Sequence, residues 1–270
     1  SSQIPTFLVS QLAKKKVTVA LSGDGGDEFF LGYTQYGFFQ KIWNLRYLKH
    51  LPWSLIFSVL TPFEKNQLVS TSLRRGRSVV QAWNQSDVQK LNYSWMDHYR
   101  SGNVPIREQK CVDMLNFPIL KDAAETAGLW DAGTYLPDDI LVKVDRASMA
   151  HSLETRAPLL DHRVIEFAHS LPLEYKLYRG ESKRVLREVL YRYVPKSLID
   201  RPKMGFSIPM DEWLRKELRP WAQDLIQCIN NDSEIFDKPM IERLWKEHLT
   251  GKCIHTEQLW GILSLQSFLK

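Results

Sequence analysis

Cysteine is scarce in this chain: three residues, Cys111, Cys228 and Cys253, in 270. Odd in number and far apart, they make no disulfide framework. With no Cys-x-x-Cys pair and no ligand spacing of the zinc-finger kind, zinc is not expected. Free thiols, and a cytoplasmic location, are expected instead. Long apolar runs are also missing. Nothing approaches the roughly twenty residues that cross a bilayer, and the N-terminus shows no charged-then-apolar leader, so no membrane partner is expected. Repeats and low-complexity tracts are absent. The net charge is only +5, and the one dense basic cluster, Arg74, Arg75 and Arg77, is too short to argue for a nucleic-acid groove. No Gly-Lys-Ser/Thr follows any glycine loop, which excludes a Walker-type phosphate site.

What remains is the composition of a soluble globule, 44% hydrophobic and 25% charged, with length enough for one large domain or two small ones. Helical periodicity dominates. The opening "SSQIPTFLVSQLAKKK" predicts a helix with Ser2 as cap, Pro5 in the first turn and Ile4, Leu8 and Leu12 on one face. Starting without Met inside such a helix, the chain reads as a fragment of something longer. "VTVAL" is the clearest strand, a short β-branched run expected to be buried and parallel. Helices are predicted from Glu28 onward, over 111–129, from the Pro-Asp-Asp start at 137–139 with Ile140, Leu141, Val144 and Met149 inward, after an Asp161 cap, over 181–193, and in "DEWLRKEL", "KPMIERLWKEHL" and "TEQLWGILSLQSFL".

Three constellations carry chemistry. The first is "ALSGDGGDEFFLGY", a strand running into Ser22, Gly23, Asp24, Gly25, Gly26, Asp27 and Glu28. Glycines bring backbone N–H groups close to a ligand at the carboxyl end of a strand, and the N-terminus of the following helix favours an anion. Asp24 and Asp27 would repel a bare polyphosphate, a conflict that Mg²⁺ resolves by taking carboxylate and phosphate oxygens together. A glycine-rich turn with Asp caps accounts for the same letters. The second is "KVDRASMAHSLETRAPLLD", where Lys143, Asp145, Arg146, Glu154, Arg156 and Asp161 fall in a span apolar enough to be buried. Such charges must be paired or bind something charged, and a structural ion network is the alternative reading. An extended link would put Glu154 and Arg156 on one side. The third is "RPKMGF", where Lys203 on a proline-framed loop could reach a phosphate as a point charge.

Taken in order, "ALSGDGGDEFFLGY", "LVKVDRASMAHSLETRAPLLDHRVIEF", "SKRVLREVL" and "RPKMGFSIP" resemble the ATP-dependent synthetase domain of glutamine-hydrolysing asparagine synthetases, over almost the whole chain. The resemblance implies an α/β fold of the adenine nucleotide α-hydrolase kind with a parallel sheet core, of which this chain is a mainly helical part with few short strands. It implies a partial domain over 1–270 with a helical insertion at about 37–127, lacking the glutaminase domain and the upstream "SGGxDS" loop that grips pyrophosphate. It implies ATP and Mg²⁺, aspartate as acceptor through a β-aspartyl-AMP intermediate, ammonia from glutamine, and the glutaminase domain of the same parent chain as partner; the missing strands would leave an exposed sheet edge or apolar patch, which makes self-association an option.

The family pattern also assigns roles. Ser22 and Gly23 match nucleotide-lining positions, and Asp27 a Mg²⁺–pyrophosphate position. Lys203 matches the lysine that stabilises charge at the α-phosphate, and Lys183 a second basic residue near the phosphates. Glu154 matches a carboxylate near the acceptor, with Arg156 orienting it or the substrate. Asp24 stands where many members carry Glu, a candidate base for ammonia. That departure leaves open a different acceptor, such as a sugar acid, alongside a non-catalytic paralogue. The fragment alone is expected to be inert.

Overall fold

The computed structural model describes residues 2–60, 76–77, 79–80, 83–84, 105–106, 117–200, 208–230 and 233–270. Cys111, the arginine cluster at 74–75, most of the 37–127 segment between 61 and 116, and the whole "RPKMGF" loop with Lys203 lie outside them. The chain divides into two compact units, one of residues 6–96 with 116–204 and one of 1–5, 97–115 and 205–270.

The first of these units holds the strand and the glycine hinge. Helix α1 (Gln3–Lys14) ends at the predicted lysines, and Lys14 Nζ donates to the Ser152 carbonyl at 2.7 Å. Strand β1 (Val19–Leu21) leads through the hinge into a single helical turn, α2 (Gly26–Phe29). Helices α3 (Thr34–Asn44), α4 (Trp53–Leu60) and α5 (Ala123–Gly133) follow, then a π-helical segment Leu136–Leu141 that runs into α6 (Val142–Met149). Strand β2 (Glu154–Arg156) pairs parallel with β1. Helices α7 (His162–Ser170) and α8 (Leu173–Lys176) lead to a hairpin, β3 (Leu177–Tyr178) and β4 (Glu181–Ser182), and then to α9 (Arg184–Leu190) and α10 (Lys196–Ile199).

The core of this unit is where α3 crosses α5. Tyr36 and Phe39 are fully buried against Leu31, Ala124 and Ala127. Burying each large apolar side chain is worth about 1.5–3 kcal/mol. Alanines and Gly128 keep α5 narrow: a Cβ on Gly128 would stand 2.7 Å from the Glu28 carbonyl oxygen. The helix bearing the glycine hinge's acidic residue is thereby pressed against α5.

The other unit is helical. Helices α11 (Met210–Arg215), α12 (Arg219–Gln227), α13 (Lys238–Leu249) and α14 (Thr256–Leu269) close around Leu214, Ile241, Leu259 and Leu263. Three of the four were legible from apolar spacing. In α12, Pro220 stands in the first turn, which the sequence reading had not named as a helix start.

Several expectations are corrected. The "VTVAL" strand is parallel as expected but spans three residues and is not buried: Val19 is 46% and Leu21 76% exposed, because β2 is its only strand partner among the described residues. Leu8 and Leu12 share a helix face that is likewise exposed. The helix predicted over 111–129 begins, within the described part, only at Ala123 and extends to Gly133, because Pro118 and the extended Asp122 hold the chain out of helix before it. The helix predicted from Glu28 is broken after Phe29, where Leu31 takes a left-handed φ of 55°. Met149 points outward, 57% exposed. Glu181 and Ser182 form a strand instead of the start of a helix, since Arg179 (φ 50°) and Gly180 (φ 89°) make a two-residue hairpin turn with both residues left-handed.

Candidate active site

The hinge sits at the carboxyl end of β1, as its glycines suggested. The ladder register pairs Val19 with Glu154 and Leu21 with Arg156, and Ser22 N–H extends it by donating to the Arg156 carbonyl at 2.8 Å. Beyond Ser22 the backbone leaves the ladder. Gly25 turns it with φ 85°, a conformation that costs a residue with a Cβ, and a methyl group there would also collide with Leu160. The "RAPLLD" motif is therefore the floor on which the glycine hinge closes. Gly23 is different, since nothing lies within 4 Å of where its Cβ would be. Among the described residues, no protein acceptor meets the N–H groups of Gly23, Asp24 and Gly25. Three consecutive unpaired backbone donors, with open space beside the first of them, are the kind of group that a backbone nest offers to an anion.

The helix that follows adds less than expected. It is four residues long, too short to carry much of a macrodipole. Among the described residues, the groups at this edge that could attract an anion are the backbone donors and one lysine. That lysine is Lys183, whose Nζ lies 3.1 Å from Asp27 Oδ2. Lys183 is itself left-handed (φ 54°), and its N–H donates to the Phe30 carbonyl at 3.2 Å, which docks the start of α9 onto the end of α2. A non-glycine residue in this region costs on the order of 1 kcal/mol, a strain that surrounding contacts must hold.

Six of the eight candidate residues fall into three pairs. Ser22 Oγ donates to Asp24 Oδ2 at 2.9 Å. Lys183 pairs with Asp27. Arg156 pairs with Glu154, two residues apart on one face of β2. The Ser22–Arg156 backbone bond joins the first pair to the third. The expectation of a buried charge cluster around Glu154 is corrected: the side chains of Glu154 and Arg156 are 49% and 69% exposed, and Asp145 and Arg146 lie on an exposed part of α6. Asp161 caps α7 by accepting from Arg163 N–H, as the sequence indicated. Glu154 stands opposite Val19, three residues back from the rim where Ser22 lies. Lys203 lies outside the described residues.

The structure also shows groups that the sequence reading did not single out. Glu28, only 2% exposed, sits directly after Asp27 and accepts from Tyr33 Oη at 2.7 Å. Beside it, Tyr36 Oη donates to Asp131 Oδ2 at 2.6 Å, and Asp131 is fully buried. Burial, then the adjacent carboxylates, hold both phenols far above their usual range, and Tyr135 is pushed up to about 12, mainly by burial, so all three remain donors. These carboxylate–phenol pairs fix the back of the hinge. Glu28 lay in plain view in the motif, but nothing in its spacing marked it as buried, and Asp131 carried no sequence signal at all.

Burial pushes the Glu28 carboxyl above its ordinary 4.5, outweighing the opposing pull of the Tyr33 hydrogen bond. Between 4.5 and the raised value the folded chain holds a proton that the unfolded chain has lost. Its contribution to stability is thus full below 4.5 and declines as pH rises through the folded value. Glu28→Gln keeps an acceptor for Tyr33 and cannot ionise. Urea unfolding at a series of pH values is expected to show wild type losing stability relative to Glu28→Gln on going from mildly acidic to neutral pH. Parallel curves would contradict the assignment.

A glycine hinge of free N–H groups at the end of a parallel strand, flanked by the Lys183–Asp27 pair, offers the kind of donors that a phosphate group requires. The asparagine synthase family model matches residues 1–270, and the chain belongs to that family. It is 30% identical over 267 residues to asparagine synthetase [glutamine-hydrolyzing] 1 of Bacillus subtilis, covering 96% of this chain and 41% of that protein. To a putative asparagine synthetase [glutamine-hydrolyzing] of Mycobacterium tuberculosis it is 33% identical over 273 residues, covering 96% of this chain and 40% of the relative. A shorter match, 40% identical over 70 residues, joins 25% of the chain to 12% of the human asparagine synthetase [glutamine-hydrolyzing]. The chain thus spans about two fifths of the length of the curated relatives that it matches end to end. No solved structure matches significantly. Among the described residues, no helix is long and apolar enough to cross a membrane.

Proposed function

We propose that this chain is the carboxylate-activating part of a longer protein that makes asparagine from aspartate, ATP and glutamine-derived ammonia. The observation that carries the reading is the Asp27–Lys183 pair beside the Ser22–Gly25 hinge, in a chain matched by the family model from end to end. An oxygen of the aspartate side chain attacks the α-phosphorus of ATP, the bond to pyrophosphate breaks, and a β-aspartyl-adenylate results. Ammonia then adds to the activated carbonyl and AMP leaves. Most of the rate comes from holding the reactants in line and stabilising charge.

In this scheme Ser22 and Gly23 line the nucleotide, and the N–H groups of the hinge receive phosphate oxygens. Lys183 leaves Asp27 for the pyrophosphate, and Lys203 stabilises charge at the α-phosphate. Asp27 offers the hard oxygens that Mg²⁺ prefers and is partly open to solvent, so the residues present fit that ion. Once bound, Mg²⁺ would neutralise charge on the departing pyrophosphate. Glu154, steered by Arg156, faces the acceptor, and Asp24 takes the proton of the incoming amine. The glutaminase domain belongs to the longer protein, as does the rest of the adenine-nucleotide fold surrounding β1 and β2.

The test is ATP–pyrophosphate exchange with the full-length protein. Exchange dependent on aspartate is expected, and the isolated chain is expected to make no asparagine. A second acceptor class has one observation in its favour. Asp24 is one methylene shorter than the Glu of many relatives and is bonded back to Ser22. Exchange supported by a sugar acid and not by aspartate would replace the asparagine assignment. Absence of exchange with every acid tried would indicate a non-catalytic member.

A further inference from the structure

The helical unit carries a cluster that the asparagine chemistry does not use. Glu247 stands in the last turn of α13, and Cys253 and His255 follow in the connection to α14. One donor atom from each lies within 4.8 Å of the other two, and all three residues are half-buried. The sequence offered only an isolated Cys-x-His and no ligand pattern. Folding supplies the carboxylate that makes it a set of three.

The connection is closely built. Thr250 Oγ1 and the N–H groups of Lys252 and Cys253 all donate to the Glu247 carbonyl, at 3.1, 3.1 and 3.4 Å. Gly251 makes the turn with φ 70°. His255 N–H donates to Nδ1 of the fully buried His248 at 3.3 Å, which fixes the loop from below. This pre-organisation lowers the ordering cost of three ligands on one short loop.

The orientation of the His255 ring is the second observation. Its Nδ1 is 2.9 Å from Gln258 Oε1, and an amide oxygen can only accept, so Nδ1 carries a hydrogen. Its Nε2 lies 3.0 Å from Glu247 Oε2. With Nδ1 already a donor, Nε2 and the carboxylate are two acceptors facing each other unless a proton or a cation lies between them. Metal-ligating histidines are held in this way, one nitrogen donating to an oxygen while the other faces the ion. The nearby Cys253 sulfur favours an ion over a proton. A thiolate, an imidazole and a carboxylate together suit a borderline-soft divalent ion of the zinc class, with water as fourth ligand. Lys252 Nζ, 3.6 Å from Glu247 Oε1, opposes a cation, but its side chain is 72% exposed and can swing into solvent.

We propose that Glu247, Cys253 and His255 bind one zinc-class divalent ion, which fastens the α13–α14 connection. The test is titration of the chelator-treated chain with Co²⁺, followed by absorbance. Saturation at one equivalent, tetrahedral visible bands, and a near-ultraviolet sulfur-to-cobalt band displaced by Zn²⁺ are expected. Cys253→Ser should lose the sulfur band. Cys228→Ser and Cys111→Ser should keep it. Gln258→Ala, which removes the oxygen facing His255 Nδ1, should weaken binding by roughly 10–100-fold while leaving the band shape unchanged. Circular dichroism checks that each variant is folded. No sulfur band in the wild-type chain, or one that survives Cys253→Ser, would overturn the site and leave an imidazolium–carboxylate pair only. Because the titration does not involve ATP or an acceptor, it is independent of the synthetase reading.

Discussion

Replacing Gly32 by alanine is expected to lower the turnover of the full-length protein by about 100-fold or more while leaving the fold nearly as stable as before. Gly32 touches no proposed substrate. Its N–H donates to the Asp27 carbonyl at 2.7 Å, which curls the chain back over the hinge. A methyl group there would collide with both the Asp27 carboxylate and the Lys183 stem. Both are the ends of flexible side chains, so they can move aside at small cost to folding. The ion pair cannot then stay where it is. A displacement of about 1 Å in groups that position a reacting phosphate is enough for a loss of about 10². Two readouts separate this from a general defect. The denaturation midpoint of Gly32→Ala should stay close to wild type. In an Asp27→Ala background, where the pair is already gone, adding Gly32→Ala should cost little more, the non-additivity expected of residues acting on one element. Unchanged turnover in Gly32→Ala would remove Asp27 and Lys183 from the machinery. A collapse in stability would show that the space around Gly32 is rigid.

The second large effect is on stability. Lys176 is a buried lysine, with its side chain 3% exposed. It pairs with Glu125 in the first turn of α5 and donates to the Ala168 carbonyl at 3.0 Å, so one ammonium ties α5 to the end of α7. Lys176→Met keeps the length and apolar character of the stem and deletes the charge. Glu125, 18% exposed, would be left without its partner in a low-dielectric setting. Breaking such a pair from one side costs about 3–5 kcal/mol. Removing both charges in Lys176→Met/Glu125→Leu should recover most of that loss, because the cost lies in the stranded carboxylate and not in a missing attraction. Urea denaturation of the two single variants and the double variant measures the coupling. A single-variant loss below about 1 kcal/mol would mean that water reaches Glu125 freely.

Much of the site could be read before the fold was known. The glycine hinge, its place at the end of a parallel strand, the shared face of Glu154 and Arg156 and the Asp161 cap are properties of short segments. Glycine spacing, strand alternation and capping side chains act over a few residues and leave local marks. The errors have a common cause. Strand β1 was read as buried because its residues are apolar, yet apolarity sets what a strand would gain by burial and not whether another element covers it. The 181–193 segment was read as one helix because Arg184 to Leu190 sets the period. The left-handed pair Arg179–Gly180 and the pairing of Leu177 with Ser182 took its first two residues into a hairpin. Glu28 and Asp131 escaped notice because a buried carboxylate and a surface one look alike in a sequence.

The sequence by itself determined the local machinery: where the chain must turn tightly, which residues bring carboxylate, hydroxyl and ammonium groups, and to which family their order belongs. Only the tertiary structure decided their company. It set Lys183 against Asp27 across about 150 residues, Tyr36 against Asp131 across about 95, and Glu247 against His255 through a folded loop. Periodicity and turn chemistry are encoded residue by residue, whereas contacts between distant segments depend on how helices stack and which faces they bury, and no short stretch of sequence carries that information.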